Sequence, residues 1–309
     1  MRLSRRAFLL QAAGLPRRAR LERLERLMGP APALEDEVVW KAAGEWREDG
    51  YIRRHILFQS EPDDFVPAWL LLPARPHRKR PAAVCLHQTT GIGKDEPAGL
   101  GGKPGLHYAR ELALRGWTSL APDYPNFGEY RFDPYAHGYA SATMKGIVNH
   151  ARAVRLLAAL PGVDPRRIAA VGHSLGGHNA LFLAAFEPRV AAVASSCGFT
   201  SFRRYMGGDL RGWSHAGYMP RIASEFGCDP ARMPFDFVAD VLALIAPRPV
   251  FVNAPLGDGN FDVEGVRESL DAVRSLFPRG RLAAEFPACG HEWPEPVRRR
   301  AWTWLERVL

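Results

Sequence analysis

Short apolar segments alternate with helix-length segments from residue 82 to the end of the chain. The strand-like segments are AAVCLH (82–87), TSLAPDY (118–124), RIAAVGH (167–173), VAAVASSC (190–197), RPVFVNAP (248–255) and LAAEFPAC (282–289). Helix-length segments separate most of them, and an amphipathic segment closes the chain at 296–309. Strands that are apolar throughout and alternate with helices are typical of a parallel sheet covered on both faces. The pattern predicts a single α/β domain.

The region before this alternation has a different character. YIRRHILFQS (51–60) and FVPAWLLLP (65–73) are β-rich and are separated by the turn-forming EPDD, which predicts an antiparallel hairpin. We therefore divide the chain into an N-terminal basic, helical extension (1–50) and an α/β domain (51–309). One connection, at about 198–247, is unusually long, and we expect either a lid-like insertion or a plain cover over the sheet edge.

Charge and cysteine content argue against several classes of function. The net charge is +8, but residues 1–30 hold eight arginines against two glutamates, a charge of +6, so only +2 remains for the body. No basic face for nucleic acid is therefore expected. The four cysteines form no CxxC pair, and we predict no metal and no cofactor. No apolar run reaches the length of a membrane span.

The first residues allow two interpretations. SRRAFL (Ser4 to Leu9) combines paired arginines with an apolar patch, as in a twin-arginine export signal. RRARLERLERL then continues as a charged amphipathic helix, which favours an arginine-rich helix lying on the domain. Export and cytoplasmic location both stay open, and the sequence does not determine the oligomeric state.

The motif GHSLG contains the candidate nucleophile, Ser174. It directly follows a strand-like segment and directly opens a helix-like one, which is the setting of a nucleophile elbow. Gly172, Gly176 and Gly177 leave room for the sharp turn that such an elbow needs. The first helical amide, that of Leu175, is then available to stabilise an oxyanion.

A serine nucleophile needs a base, and the base needs an acid. His291 follows the last strand, in ACGHEW, at the carboxyl end where such sheets assemble their sites. The turn LGDGNFD offers Asp258, close to the preceding strand end, and Asp262, at the position of a helix N-cap. We predict Asp258 as the acid, and the order Ser174, Asp258, His291 is the one expected for this fold.

The rest of the site is less determined by sequence. The loop LHQTTGIGKDEPAGLGG follows the first core strand, and either Thr89 or Gln88 is expected to supply a second oxyanion amide, unless the loop only connects two elements. Aromatic and sulfur side chains of the insertion form either a substrate wall or a small core. The candidates for that wall are Trp213, Tyr218 and Met219, with Tyr205 and Phe235 beside them.

These motifs together resemble the α/β-hydrolase superfamily from about residue 50 to the end. GHSLGG resembles its nucleophile motif, LHQTTG its oxyanion loop, GDGNFD its acid turn and GHEW its histidine turn. Within the superfamily the chain resembles the branch of dienelactone hydrolases and acetyl xylan esterases. That resemblance implies a mostly parallel sheet with helices on both faces and Ser174, Asp258 and His291 as a catalytic triad.

The expected function is hydrolysis of carboxylic esters through an acyl-enzyme, with a small-molecule ester as substrate and short acyl esters of carbohydrates as one candidate class. Three alternatives stay open: a peptidase of the prolyl-oligopeptidase type, a dienelactone-type lactone hydrolase, and an inactive binding protein on the same fold. About eighty residues precede the first core strand, too few for the propeller that screens peptides in the peptidases.

Overall fold

The computed structural model describes residues 15–74 and 79–309, with Val238 and Ala239 described by their backbone alone. Nine strands form one sheet in the order β1-β2-β3-β5-β4-β6-β7-β8-β9. The strands are β1 (Trp40–Glu48), β2 (Tyr51–Glu61), β3 (Asp64–Pro73), β4 (Arg80–Leu86), β5 (Thr118–Pro122), β6 (Val163–His173), β7 (Val190–Ser196), β8 (Val250–Asn253) and β9 (Leu282–Glu285). Within the described ranges, no helix is both long and apolar enough to cross a membrane.

The helices connect the strands and cover both faces of the sheet. They are α1 (Arg17–Met28), α2 (Asp95–Ala98), α3 (Tyr108–Leu114), α4 (Ala142–Ala159), α5 (Leu175–Phe186), α6 (Arg221–Ser224), α7 (Leu242–Ile245), α8 (Val263–Val273) and α9 (Glu295–Val308). Side chains of α4, α5 and α8 pack on one face of the sheet, and those of α3 and α9 pack on the other. This is the two-sided α/β architecture predicted from the apolar strands.

The sheet has an antiparallel part and a parallel part. β1, β2, β3 and β5 pair antiparallel in turn, whereas β4 to β9 pair parallel. The hairpin predicted from EPDD is β2 and β3. The edge strand β1 was not predicted, because its sequence, WKAAGEWRE, is largely exposed and carries no run of apolar side chains.

The arginine-rich helix α1 is part of the folded body. Leu24, Leu27 and Met28 are completely buried, and the Arg23 guanidinium donates to Asp240 of the insertion at 3.1 Å. For residues 17–28 the structure therefore shows the helix lying on the domain. The export motif at 4–9 lies outside the described residues.

The insertion at 198–247 is compact and mostly made of short helical turns. It contains α6, a π-helical turn at Phe237–Val241, and α7. Its aromatic side chains pack on α5: the Phe237 ring stacks on Phe182 with centroids 5.0 Å apart. The insertion thus shares the core of the domain instead of lying loosely over the sheet edge.

Candidate active site

Ser174 lies at a sharp turn between β6 and α5. Its φ of 55° and ψ of −117° are a conformation that L-residues rarely adopt. The turn is held by two backbone hydrogen bonds: Ser174 N donates to Ser196 O at 2.8 Å, and His178 N donates to Ser174 O at 3.1 Å. Ser174 is partly exposed although its neighbours are buried. This geometry is that of the nucleophile elbow predicted from GHSLG.

The flanking glycines are required by close backbone contacts. A Cβ at Gly176 would lie 1.8 Å from the carbonyl oxygen of Leu86, and one at Gly172 would lie 2.2 Å from Gly176 O. Neither clash could be relieved by a flexible side chain, because both partners are backbone atoms. The first turn of α5 therefore packs directly on the end of β4, which brings the elbow beside the loop that follows β4.

The acid and the histidine meet at the ends of β8 and β9. His291 Nδ1 lies 2.9 Å from Asp258 Oδ2 and 3.0 Å from Oδ1. Asp258 Oδ1 also accepts from the amides of Asn260 and Phe261 at 2.9 and 3.1 Å. Burial acts to raise the pKa of Asp258, but the hydrogen bonds and charge of His291 and these two amides outweigh burial and lower it. Asp258 is therefore held as a carboxylate that orients His291.

Asp262 has the other role predicted for it. Its side chain caps α8 by accepting from Gly265 N at 2.9 Å. In the LGDGNFD turn, Asp258 thus contacts His291 and Asp262 caps a helix, as predicted from the sequence.

His291 lies close to the elbow. Its ring is 4.9 Å from that of His173, the residue that precedes Ser174. In the described part of the chain no hydrogen bond joins Ser174 Oγ to His291. Hydrogen bonds of catalytic groups are often long in unliganded enzymes and tighten when substrate binds. The structure brings Asp258 and His291 into contact and places Ser174 next to them, and the triad itself stays a prediction.

His173 cannot serve as the base. It is buried, its Nδ1 is 2.9 Å from Ser196 Oγ, and burial, with a smaller contribution from His291, lowers its pKa to about 3. The same Ser196 hydroxyl accepts from Asn253 Nδ2 at 2.8 Å. These buried groups fill the space beneath the elbow and hold β6, β7 and β8 in register.

Cys197 is a neighbour of the site that sequence reasoning did not assign to it. Its Sγ lies within 4.8 Å of ligand atoms of both Asp258 and His291, so three residue types that can bind a metal converge here. Burial raises the pKa of the thiol well above its ordinary value, which favours the protonated form rather than a metal-binding thiolate. Because Asp258 and His291 already bond to each other, the cluster is better suited to catalysis by a histidine than to metal binding.

The loop after β4 is organised around His87. His87 Nε2 accepts from Tyr124 N at 3.0 Å, and Nδ1 lies 2.6 Å from Gln88 O. The first contact requires an unprotonated Nε2, so Nδ1 carries the proton and donates to Gln88 O. Burial lowers the pKa of His87 to about 4, which is consistent with a neutral ring.

The next turn of this loop is fixed by a buried carboxylate. Asp123 Oδ1 accepts from Lys94 N at 2.7 Å, and Oδ2 accepts from Glu129 N at 3.0 Å. The Lys94 ammonium is completely buried, 3.6 Å from Asp123 Oδ2 and 2.8 Å from Glu129 Oε1. Asp123 therefore ties the loop after β4 to the loop after β5. No sequence motif indicated this pair, because its members are separated by about thirty residues.

The three amides predicted for the oxyanion are free to receive a ligand. Within residues 15–74 and 79–309, none of Leu175 N, Thr89 N and Gln88 N donates to a protein acceptor. Leu175 N is a first-turn helix amide, which has no intrahelical partner. The Gln88 side chain donates from Nε2 to Glu96 at 2.9 Å, a contact that leaves its backbone amide unaffected, so the choice between the Thr89 and Gln88 amides stays a prediction.

The three residues predicted as a substrate wall separate into two groups. Met219 is completely buried and Trp213 is 4% exposed, and both belong to the main core. For these two, the structure favours the alternative of a small core, because the insertion packs them against α5 and the sheet. Tyr218 remains at the site: it is half-buried, and its ring packs with Leu175, Tyr124 and Phe127.

A cleft of about 320 Å³ opens beside His291. Its walls come from the loop before α3, from the two histidines and from the segment that leads into α9. The lining includes Lys103, Leu106, His173, His291, Glu292 and Trp293. None of the residues that pack around Tyr218 lines this cleft, so the open space beside His291 and the packed cluster at Leu175 are separate features of the site.

Comparisons with known proteins agree with this fold. A family model described as the alpha/beta hydrolase fold matches residues 84–231. The protein named "Putative hydrolase YtaP" from Bacillus subtilis (strain 168) is 24% identical over 312 residues, which cover 95% of this chain and 100% of that one.

Solved structures with the same fold include two esterases. A glucuronoyl esterase from Solibacter usitatus superposes with a TM-score of 0.71 at 15% identity, covering 94% of this chain and 91% of its own. Acetyl xylan esterase 1 from Thermoanaerobacterium sp. JW/SL YS485 superposes with a TM-score of 0.63 at 17% identity, covering 94% and 92%.

The sheet order, the elbow and these matches define an α/β-hydrolase fold, as the sequence predicted. The resemblance to acetyl xylan esterases holds at the level of the fold, since this match is 17% identical. The esterase expected from the sequence agrees with the names of the two solved structures, and the Bacillus subtilis protein is named a hydrolase.

Proposed function

We propose that the protein is a serine hydrolase that cleaves carboxylic esters through an acyl-enzyme. The observation that carries the proposal is the His291–Asp258 pair beside the strained Ser174 elbow. His291 accepts the Ser174 proton at Nε2, since Nδ1 faces Asp258, and Ser174 Oγ attacks the ester carbonyl. His291 then protonates the leaving alcohol, and water repeats the sequence on the acyl-enzyme.

The negative oxygen of each tetrahedral intermediate is bound by the Leu175 and Thr89 amides. Loss of one such donor costs roughly 100- to 1000-fold in turnover in well-studied hydrolases. The leaving alcohol is placed in the cleft beside His291, because the general acid must reach it. The acyl group is placed toward Leu175 and Tyr218, where packed aromatic rings favour a short chain.

The names of the structural neighbours support a carbohydrate ester as the substrate. In an acetyl ester of xylan the sugar supplies the alcohol, whereas in a glucuronoyl ester the sugar acid supplies the acyl group. We propose the first arrangement for this chain, because the packed residues around Leu175 and Tyr218 favour a short acyl group. A panel of acetyl esters with simple alcohols and with sugars, assayed with the purified protein, tests this part of the proposal. Equal rates for both groups would leave a general esterase.

The test of the chemistry is Ser174→Ala. We expect purified protein to hydrolyse p-nitrophenyl acetate, and the variant to lose this activity at least 1000-fold because no oxygen remains to form the acyl-enzyme. Thermal unfolding should be unchanged, since Ser174 Oγ makes no hydrogen bond within the described part of the chain. A folded variant that keeps most of the activity would contradict the proposal.

A further inference from the structure

One contact joins the insertion to the proposed oxyanion hole. Thr89 Oγ1 and Tyr218 OH lie 2.7 Å apart, although the two residues are 129 positions apart in the chain. Tyr218 belongs to the insertion, and Thr89 carries the amide to which the proposed function assigns the oxyanion. The contact therefore links the long insertion to the loop that carries the proposed oxyanion amide.

The orientation of the Thr89 amide depends on a single peptide unit. His87 Nδ1 donates to the carbonyl oxygen of Gln88, which draws that oxygen toward the buried imidazole. In a trans peptide the carbonyl and the following N–H point in opposite directions. The Thr89 N–H is therefore directed away from His87. This hydrogen bond fixes the carbonyl end of the peptide unit between Gln88 and Thr89. A contact to the Thr89 side chain can fix its amide end.

Tyr218 is itself held firmly enough to act as a support. Its backbone carbonyl accepts from Thr143 N at 3.3 Å, where α4 begins. The two residues before it are also bound: Tyr124 OH donates to Gly217 O at 3.1 Å, and Tyr135 OH donates to Ala216 O at 2.5 Å. The segment 216–218 is thus attached to the body of the domain from several sides.

We propose that Tyr218 is a positioning residue for the reaction. Its hydroxyl holds the Thr89 side chain, while His87 holds the Gln88 carbonyl, and together they keep the Thr89 N–H in the oxyanion-binding orientation. The insertion is then a working part of the site and not only a wall. This inference rests on the proposed function, because it assigns Tyr218 a task only if the Thr89 amide binds the oxyanion.

The test compares variants that each lack one hydroxyl. Tyr218→Phe keeps the ring and its packing, and Thr89→Val keeps the shape and the backbone amide. One neutral hydrogen bond contributes on the order of 1 kcal/mol, so each variant should lower kcat about 5- to 10-fold. KM should change less than about 2-fold, because the oxyanion forms only in the transition state. The double variant should be no worse than either single variant, since both remove the same contact.

Tyr135→Phe is the matched control. It removes another tyrosine hydroxyl that anchors the same segment but has no contact with Thr89. We expect its kcat to stay well above that of Tyr218→Phe, whatever its effect on thermal unfolding, because Thr143 N and Tyr124 OH still hold the segment. A merely structural role for Tyr218 predicts instead that Tyr218→Phe and Tyr135→Phe both lower the unfolding temperature and have the same effect on kcat.

The outcomes separate the two proposals. Ser174-dependent hydrolysis with an unchanged kcat in Tyr218→Phe, or strictly additive losses in the double variant, would overturn the inference and leave the proposed function standing. Hydrolysis that survives Ser174→Ala would overturn the proposed function and this inference with it. A fall in kcat confined to Tyr218→Phe, Thr89→Val and their combination supports both.

Discussion

The two halves of the site are built in different ways. The acid–histidine half consists of short turns: Asp258 follows β8 closely, and His291 follows β9. The proposed oxyanion half consists of long loops that distant side chains contact, with Asp123 accepting from Lys94 N and Tyr218 OH lying against Thr89 Oγ1. The elbow with Ser174 lies between these halves.

The difference shows that the two halves are held in position by different kinds of contact. Short turns at strand ends place a side chain accurately, because the sheet already fixes both ends of the turn. A long loop needs additional contacts to hold one amide in position, and here they come from the loop after β5 and from the insertion. The acid–histidine half should therefore respond to local substitutions, and the oxyanion half to distant ones.

The largest effect is expected from Asp258→Asn. An amide cannot hold His291 in the tautomer that leaves Nε2 free to accept a proton, so kcat should fall by about 1000- to 10,000-fold. The fold should persist, because the change is isosteric. Steady-state kinetics with p-nitrophenyl acetate measures the loss. As a control, Asp262→Asn removes a neighbouring charge that caps α8 and pairs with Arg204 without contacting His291, and it should keep activity within about 2-fold.

A smaller loss is expected when the distant support of the oxyanion loop is weakened. Asp123→Asn replaces one acceptor oxygen by a donor that faces a backbone amide, so the turn at Lys94 should shift. We expect kcat to fall about 10- to 100-fold, because an oxyanion amide is displaced and not removed. The folded protein should also lose stability, since the buried Lys94 ammonium loses a full partner charge.

Asp133→Asn provides the comparison for this variant. Asp133 also accepts from two backbone amides, those of Tyr135 and Ala136, but it lies in an exposed turn that does not contact the loop after β4. Its substitution should leave kcat unchanged. Equal kinetic losses in both variants would contradict the specific link between Asp123 and the oxyanion loop.

The smallest effect expected from a single residue is on the free energy of unfolding, which should depend on pH through buried histidines. Burial lowers the pKa of His215 below the ordinary value of 6.5, and it lowers that of four other histidines strongly: His87 to about 4, and His150, His173 and His178 to about 3. As the pH falls through 6.5, these histidines therefore bind protons in the unfolded chain but stay neutral in the folded protein. Stability is full above pH 6.5 and falls as the pH drops toward 4.

Each of the four strongly shifted histidines should cost about 1–2 kcal/mol of unfolding free energy between pH 7 and pH 5. Urea unfolding at the two pH values measures the sum. His178→Phe should reduce the slope, because phenylalanine takes up no proton and its ring can occupy the same place among the aromatic side chains. A stability that is flat from pH 7 to pH 5 would show that these rings are not held neutral.

Sequence reasoning predicted the half of the site that is determined locally. Ser174, Asp258 and His291 could be chosen because each follows a strand in the chain and has glycines nearby that permit a turn. Asp123 and Lys94 could not be found, since burial of a charged pair depends on loops that approach only after folding. The side chains of the insertion were ambiguous for the same reason: Trp213 and Met219 joined the core, whereas Tyr218 stayed at the site.

We propose Ser174 as the nucleophile of an ester hydrolase. A fluorophosphonate reacts covalently only with a serine that a base has activated, so peptide mass spectrometry of the labelled protein tests the claim directly. We predict a single adduct, on the peptide that contains Ser174, whose rate of formation falls strongly in Asp258→Asn. Absence of labelling in the folded wild-type protein, or an adduct on another serine, would contradict the account.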